Sequence, residues 1–133
     1  MEKVAQGRVL SGLNVAEKSD EYPAGTEQGR LVLRDEHFQT VAFLAKSLSD
    51  ENRLRIILCV SHGKKSVSGI VEELGLSQPL VSHHLKELKR SLLVRIERNG
   101  PFIYYELVDH RILDVIRTLV TVATDLLTAR KTF

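Results

Sequence analysis

The sequence predicts a mainly α domain of about five helices with one small β-hairpin near its end. Three observations predict it. From about Asp35 to Ser91, apolar residues recur at three- and four-residue steps, the period of an amphipathic helix. The period then shortens to two on both sides of Asn99-Gly100, a dipeptide that is the strongest short hairpin signal. After Asp109 the helical period returns and holds to about Ala129.

The elements follow in order. Residues 1–34 contain Gly7, Gly12, Gly25, Gly29, Pro23 and scattered charge with no lasting period, which predicts a mobile N-terminal arm. Phe38, Val41, Ala42, Ala45 and Leu48 mark a first helix. Ser49-Asp50 caps a second, which contains Leu54, Ile57 and Leu58 and ends at Gly63. Ser66 caps a third from Val67 to Leu74, and Gly75 stops it. A fourth starts after Ser77 and reaches about Ser91. Val94 and Ile96 then alternate with Arg95 and Glu97, and Ile103, Tyr105 and Leu107 with Tyr104 and Glu106. Asp109 caps the last helix. The folded domain is thus expected over 35–129, with 130–133 as a tail.

The last helix carries no charge between Arg117 and Asp125. Ile112, Ile116, Leu119, Ala123 and Leu126 form a stripe that Leu113, Val120 and Leu127 widen. A helix apolar over so much of its circumference needs cover on more than one side, and a second copy of the chain is the expected cover.

The third and fourth helices, joined by a glycine turn, have the spacing of a helix-turn-helix, whose second helix enters the DNA major groove. On that helix Val81, His84, Leu85 and Leu88 share an inward face. Gln78, Ser82, His83, Lys86, Lys89 and Arg90 share the other. Ser, Gln and His suit base edges, whereas Lys86 and Lys89 reach phosphates. Ser77 caps the helix start, where backbone N–H groups favour a phosphate. Arg95, Arg98 and Asn99 extend this footprint along the outer edge or tip of the hairpin. An amphipathic helix with Lys and His outside is by itself more often a plain surface helix. Here the turn spacing, the basic hairpin and local charge favour the DNA reading.

That charge is uneven. The 133-residue chain has a net charge of only +2, yet residues 52–105 hold nine Lys/Arg against four Glu, a surplus of five. Aromatics make up 5%, too few to stack single-stranded bases. No apolar run reaches membrane-spanning length, and the Met1 end lacks a signal-peptide pattern. With one cysteine and no internal disulfide, a cytoplasmic protein is expected. Catalysis finds no support, for there is no Gly-rich phosphate loop, no HExxH and no nucleophile-elbow serine.

Three stretches together resemble the ArsR/SmtB family. They are Leu48-Ser49-Asp50-Glu51-Asn52-Arg53-Leu54-Arg55-Ile56-Ile57-Leu58, Leu76-Ser77-Gln78-Pro79-Leu80-Val81-Ser82-His83-His84-Leu85 and Tyr104-Tyr105-Glu106-Leu107. The resemblance covers about residues 36–128. It implies a dimeric bacterial repressor of the winged helix-turn-helix type, a homodimer joined through its first and last helices. It also implies that Ser77, Gln78, Ser82 and His83 touch double-stranded promoter DNA, with the hairpin as wing. One departure is Pro101, where the family commonly has a basic residue after the turn glycine, so wing contact shifts toward Arg98.

Many relatives of that kind sense metals. Where the metal-binding version opens its third helix with thiolates, this chain has Ser66-Val67-Ser68-Gly69. At the start of the last helix Asp109 is followed by His110 and Arg111, with Val122 and Asp125 downstream. Both imidazole positions are lost and Arg111 repels a cation, so no metal and no cofactor is expected. His83 and His84 point about 100° apart on a helix and do not share a metal easily. Structural or surface roles are expected for His37, His62 and His110.

Cys59 lies in the apolar run Ile57-Leu58-Cys59-Val60, which suits a core thiol. Some relatives that sense sulfide or oxidants carry a cysteine in a similar place, paired with a second one in the last helix. This chain has no second cysteine. A redox role for Cys59 would therefore need a capped thiol or an intersubunit bond. Besides this thiol-responsive regulator, the other alternative is a winged-helix protein-interaction module that does not touch DNA. No residue pattern names an inducer.

Overall fold

A computed structural model describes residues 25–27 and 30–131 of the chain. The rest of the expected arm, 1–24 and 28–29, and the last residues of the expected tail, 132–133, lie outside the described residues. The chain divides between Ala45 and Lys46 into two units.

In the first unit, strands β1 (Gly25–Glu27) and β2 (Arg30–Val32) pair antiparallel, with Thr26 opposite Leu31. Sequence reading expects no element here. Three-residue strands are too short to show a period of two, which is why they escape a pattern search. Helix α1 (Asp35–Ser47) follows, with Asp35 and Glu36 in its first turn and Lys46 in its last, the polarity its dipole favours. At its start the Arg34 backbone N–H donates to His37 Nδ1 at 3.0 Å. None of its residues is buried, and Phe38 and Val41 stand more than half exposed.

The second unit holds α2 (Glu51–Ser61), α3 (Val67–Leu74), α4 (Gln78–Arg90), β3 (Val94–Asn99), β4 (Phe102–Leu107) and α5 (Arg111–Arg130). The expected caps form: Asp50 Oδ1 accepts from Arg53 N at 3.0 Å, and Ser66 Oγ from Gly69 N at 3.1 Å. Gly75 ends α3 at φ +67°, a left-handed conformation that is strained for residues with a side chain. Ile56, Ile57, Val60, Ile70, Val81, Leu85, Leu88 and Val94 form the core and are almost wholly buried. Leu58, expected among the apolar residues of α2, stays 45% exposed because Ile56 takes the inward position.

Strands β3 and β4 form the expected hairpin, paired from Val94–Leu107 to Asn99–Phe102. Its central pair is Gly100-Pro101 rather than Asn99-Gly100. A type I′ turn needs positive φ at both central residues, which proline forbids. Gly100 at φ +64° followed by Pro101 instead has the sign order of a type II′ turn. The hairpin is anchored at a second point, where Lys65 and Tyr105 exchange backbone hydrogen bonds of 2.8 and 2.9 Å.

Helix α5 also departs slightly from expectation. His110, not Asp109, occupies the cap position, in helical conformation and without a side-chain cap. Asp109 Oδ1 nevertheless accepts from Arg111 N at 2.9 Å. Of the long apolar stripe only Ile112 is buried, while Leu119, Val120, Val122, Leu126 and Leu127 are about half exposed or more. Among the described residues no helix is long and apolar enough to cross a membrane.

Candidate nucleic-acid interface

Helix α3, the Gly75 turn and α4 form the helix-turn-helix unit. Ser77 turns the chain into α4: its backbone is extended and its Oγ accepts from Leu80 N at 3.3 Å. Because the oxygen accepts, the hydroxyl hydrogen is free for an outside acceptor. Pro79 lies in the first turn, where its missing N–H costs no helical hydrogen bond.

The two faces of α4 separate as the periodicity requires. Val81, His84, Leu85 and Leu88 are buried. Ser77, Gln78, Ser82, His83, Lys86 and Lys89 are all exposed. Gln78, Ser82, Lys86 and Lys89 run along the helix at steps of four, four and three, so amide, hydroxyl and two ammonium groups form one line. His83 flanks that line. Arg90 is drawn to Glu87 at 3.3 Å, while Lys86 and Lys89 enter no ion pair among the described residues. The outer face offers hydrogen-bonding groups and positive charge, and it has no large exposed apolar side chain of the kind a protein-interaction module would use.

Pleating divides the three wing residues between two faces. Arg95, Glu97 and Asn99 share a face with Phe102, Tyr104 and Glu106. Arg98 lies on the other, which it shares with Val94 and Ile96, and it is exposed because the tip runs past the core. Arg95 Nε is bonded to Glu106 Oε2 across the strands at 2.9 Å. Arg98 has no such partner among the described residues. Lys64, which sequence reading did not single out, ties itself to Glu97 at 2.8 Å and lies over the Tyr104 ring at 5.6 Å. Its only sequence signal is a basic pair between two helices.

His84 is buried as its place on the inward face predicts, but the sequence does not reveal what it meets. Its ring is buried where α4 meets the start of α2, with Nε2 3.7 Å from Asp50 Oδ1. Nδ1 is buried without a hydrogen-bond partner. Burial pushes its pKa below 6.5, only partly opposed by the Asp50 charge. The Arg53 backbone N–H in turn holds the Asp50 carboxyl below its ordinary value.

Cys59 is 2% exposed. Burial, followed by a hydrogen bond to Glu73, pushes its thiol up to about 11, which disfavours the reactive thiolate. At the start of α5, Arg111 grips the Asp109 carboxylate through contacts of 2.7–3.2 Å and holds its pKa down at about 2. A guanidinium thus occupies the carboxylate that a metal would need. Among the described residues no three His, Cys, Asp or Glu side chains group as ligands.

Comparison with known proteins agrees with this geometry. Residues 50–95 match the family described as bacterial regulatory protein, arsR family. The chain is 34% identical over 83 residues to an uncharacterized HTH-type transcriptional regulator of Methanocaldococcus jannaschii, covering 62% of this chain and 93% of that protein. It is 35% identical over 77 residues to the arsenical resistance operon repressor of Staphylococcus aureus, covering 58% and 73%. Among solved structures it resembles the homodimeric winged helix-turn-helix DNA-binding domain of Mb0332 from Mycobacterium bovis. The TM-score is 0.59 at 27% identity, covering 71% of this chain and 89% of that one. Reduced HlyU from Vibrio cholerae is similar at TM-score 0.58 and 26% identity, over 66% and 93%.

Proposed function

This chain belongs to the arsR family of bacterial regulatory proteins, and from that premise we propose that it is a dimeric repressor binding an inverted repeat in promoter DNA. It is a DNA-binding transcriptional regulator of winged helix-turn-helix fold, and its relatives are regulators rather than enzymes. The observation that carries the finer reading is the line of Gln78, Ser82, Lys86 and Lys89 on α4, exposed opposite a buried face. Gln78, Ser82 and His83 read base edges in the major groove. Ser77, Lys86 and Lys89 hold the flanking phosphates. Arg95, Arg98 and Asn99 bring the wing to the adjacent backbone or minor groove, with Arg98 the freer of the two arginines.

Dimerisation follows from the open apolar faces of α1 and α5, and the Mycobacterium bovis relative is itself homodimeric. Two α4 helices related by a two-fold axis read half-sites about one helical turn apart, roughly 34 Å. Repression follows from occupying a promoter, in the cytoplasm where that DNA lies. A buried Cys59 with a raised pKa gives no support to thiol sensing, and nothing at Asp109 or Asp125 supports metal sensing.

The test is a footprint on the DNA upstream of the chain's own gene, followed by titration of the protected duplex. The expected result is a protected inverted repeat bound far more tightly than unrelated DNA, with one dimer per repeat. Equal affinity for all duplexes would overturn the reading.

A further inference from the structure

The reading face of α4 is only as well aimed as the contacts that hold its buried face. Most of these contacts are apolar: Val81, Leu85 and Leu88 are each at most 1% exposed. The exception is His84, 5% exposed, one residue from His83 and two from Ser82. Its ring fills the joint between α4 and the N-terminus of α2. Nε2 faces the Asp50 carboxylate at 3.7 Å, and Nδ1 faces no acceptor. Asp50 is itself committed, since its Oδ1 caps α2 through Arg53 N. Arg53 is committed too, its guanidinium donating to the carbonyls of Ser47 at 2.8 Å and Lys46 at 3.1 Å.

We propose that His84 is a positioning residue for DNA reading: in its neutral form it seats α4 against the Asp50 cap, and its protonation unseats the helix and weakens DNA binding. The inference rests on the DNA-reading role assigned to α4 above. A neutral imidazole fits the joint because Nδ1 without its proton leaves no buried donor unmet. Protonation places a hydrogen on each nitrogen. The one on Nε2 points toward Asp50, and the one on Nδ1 is a buried charged donor with no acceptor. The joint relieves this by opening, which turns Ser82, His83 and Lys86 away from the geometry a groove demands.

The charged groups that act on the ring are few. Asp50 and Arg53 act from the start of α2, and His83 and Glu87 from its own helix. Helix α3 and strand β3 also pack on α4, but no charged group of theirs is among these. Burial, the largest influence, opposes the cation, as do Arg53 and His83, while Asp50 and Glu87 favour it. The folded pKa therefore lies below the ordinary 6.5. The seated state is fully favoured above that value and loses ground as pH falls through it.

The experiment measures fluorescence anisotropy on the inverted-repeat duplex from pH ~7.5 to ~5.5 at constant ionic strength, with circular dichroism as a check on folding. Wild type is compared with His84→Leu, His84→Gln and Asp50→Asn. The asparagine keeps a cap acceptor on α2 but removes the counter-charge. Every group other than residue 84 is the same in wild type and His84→Leu, so their ratio isolates His84. Wild type is expected to lose at least about fivefold in affinity relative to His84→Leu over this range, the low end of a two-state coupling. His84→Gln is expected to follow His84→Leu, and it replaces that variant should leucine prevent folding. Asp50→Asn is expected to enlarge the loss. Superimposable profiles for wild type and the His84 variants, or an unchanged profile for Asp50→Asn, overturn the positioning role and leave DNA reading intact. Absence of sequence-specific binding at every pH overturns the DNA reading itself, and this inference with it.

Discussion

The proposed dimer is open to a direct test through Leu119 and Leu126, two members of the α5 stripe. They are 51% and 66% exposed. Full burial of a leucine side chain contributes about 2–3 kcal/mol, so covering the exposed half or two-thirds contributes about 1–2 kcal/mol. Truncation to alanine keeps one methyl group and forfeits about 1 kcal/mol of this per side chain. A two-fold interface counts each residue twice, so Leu119→Ala with Leu126→Ala removes about 4 kcal/mol from dimerisation. That corresponds to a roughly thousandfold weaker dimer. Alanine is the best helix former and neither leucine contributes to the protomer core, so α5 itself is expected to persist. Sedimentation velocity across a dilution series reads the dissociation constant, and far-UV circular dichroism reads the helix. A double variant that stays as dimeric as wild type at the same concentrations would refute the reasoning, as would a wild type that is monomeric throughout.

Other expectations follow from the same geometry. Lys86, Lys89 and Arg98 offer three cations per protomer, so a dimer neutralising six phosphates is expected to show a slope of about −5 in log affinity against log salt. Lys89→Ala is expected to flatten that slope by about 2, read by anisotropy over a salt series. Gln78→Ala is expected to cost about 1–3 kcal/mol per half-site on the repeat while leaving binding to unrelated DNA unchanged, as judged by competition titration. Leu92 is 76% exposed at φ +64°, a conformation costing a side-chain-bearing residue about 1–2 kcal/mol. Leu92→Gly is therefore expected to stabilise the protein by about 0.5–1 kcal/mol despite its flexibility, measured from urea midpoints. Cys59, with its thiol at about 11, is expected to resist alkylation at neutral pH in the native protein and to react fast once urea unfolds it.

The parts of the fold legible in the sequence are those whose causes lie a few residues apart. Asp50, Ser66 and Ser77 each cap a helix by accepting from an N–H three residues on, and Gly75 stops α3 through its own φ. The two faces of α4 follow from a 3.6-residue period. What escaped has causes spread along the chain or shared with neighbours. The turn pair moved from Asn99-Gly100 to Gly100-Pro101 because the proline ring, one residue beyond the familiar signal, excludes the expected turn. His84 shows the right burial from periodicity alone. Its meeting with Asp50, from a different helix, depends on how α2 and α4 pack. Lys64 and Glu97 likewise meet only once the bridge between Lys65 and Tyr105 is formed.

The exposed face of α5 carries this distinction furthest. Four threonines from Thr118 to Thr128 are polar by composition, and Thr118 and Thr124 border the apolar stripe. Thr118, Thr121 and Thr128 instead donate their hydroxyl hydrogens to the carbonyls of Asp114, Arg117 and Thr124, four residues back, at 3.0, 3.3 and 2.9 Å. With the donor turned to the backbone, each of these three presents chiefly its methyl group. Back-bonding of this kind slightly disfavours an isolated helix, because the hydroxyl competes for a carbonyl already in use. A solvated helix gains nothing from it, since water satisfies a free hydroxyl as well. A helix that meets another apolar surface does gain, because no donor is left to desolvate. Thr118, three residues from Val115 and four from Val122, therefore extends the leucine and valine face, whereas Thr121 and Thr128 lie with Asp125 on the other side of the helix. Thr118→Ser, which keeps the hydroxyl and removes the methyl, is then expected to weaken the dimer more than Thr118→Val, which removes the hydroxyl and keeps the shape. The same dilution series decides it, and the opposite order would mean that the hydroxyl, not the methyl, makes the contact.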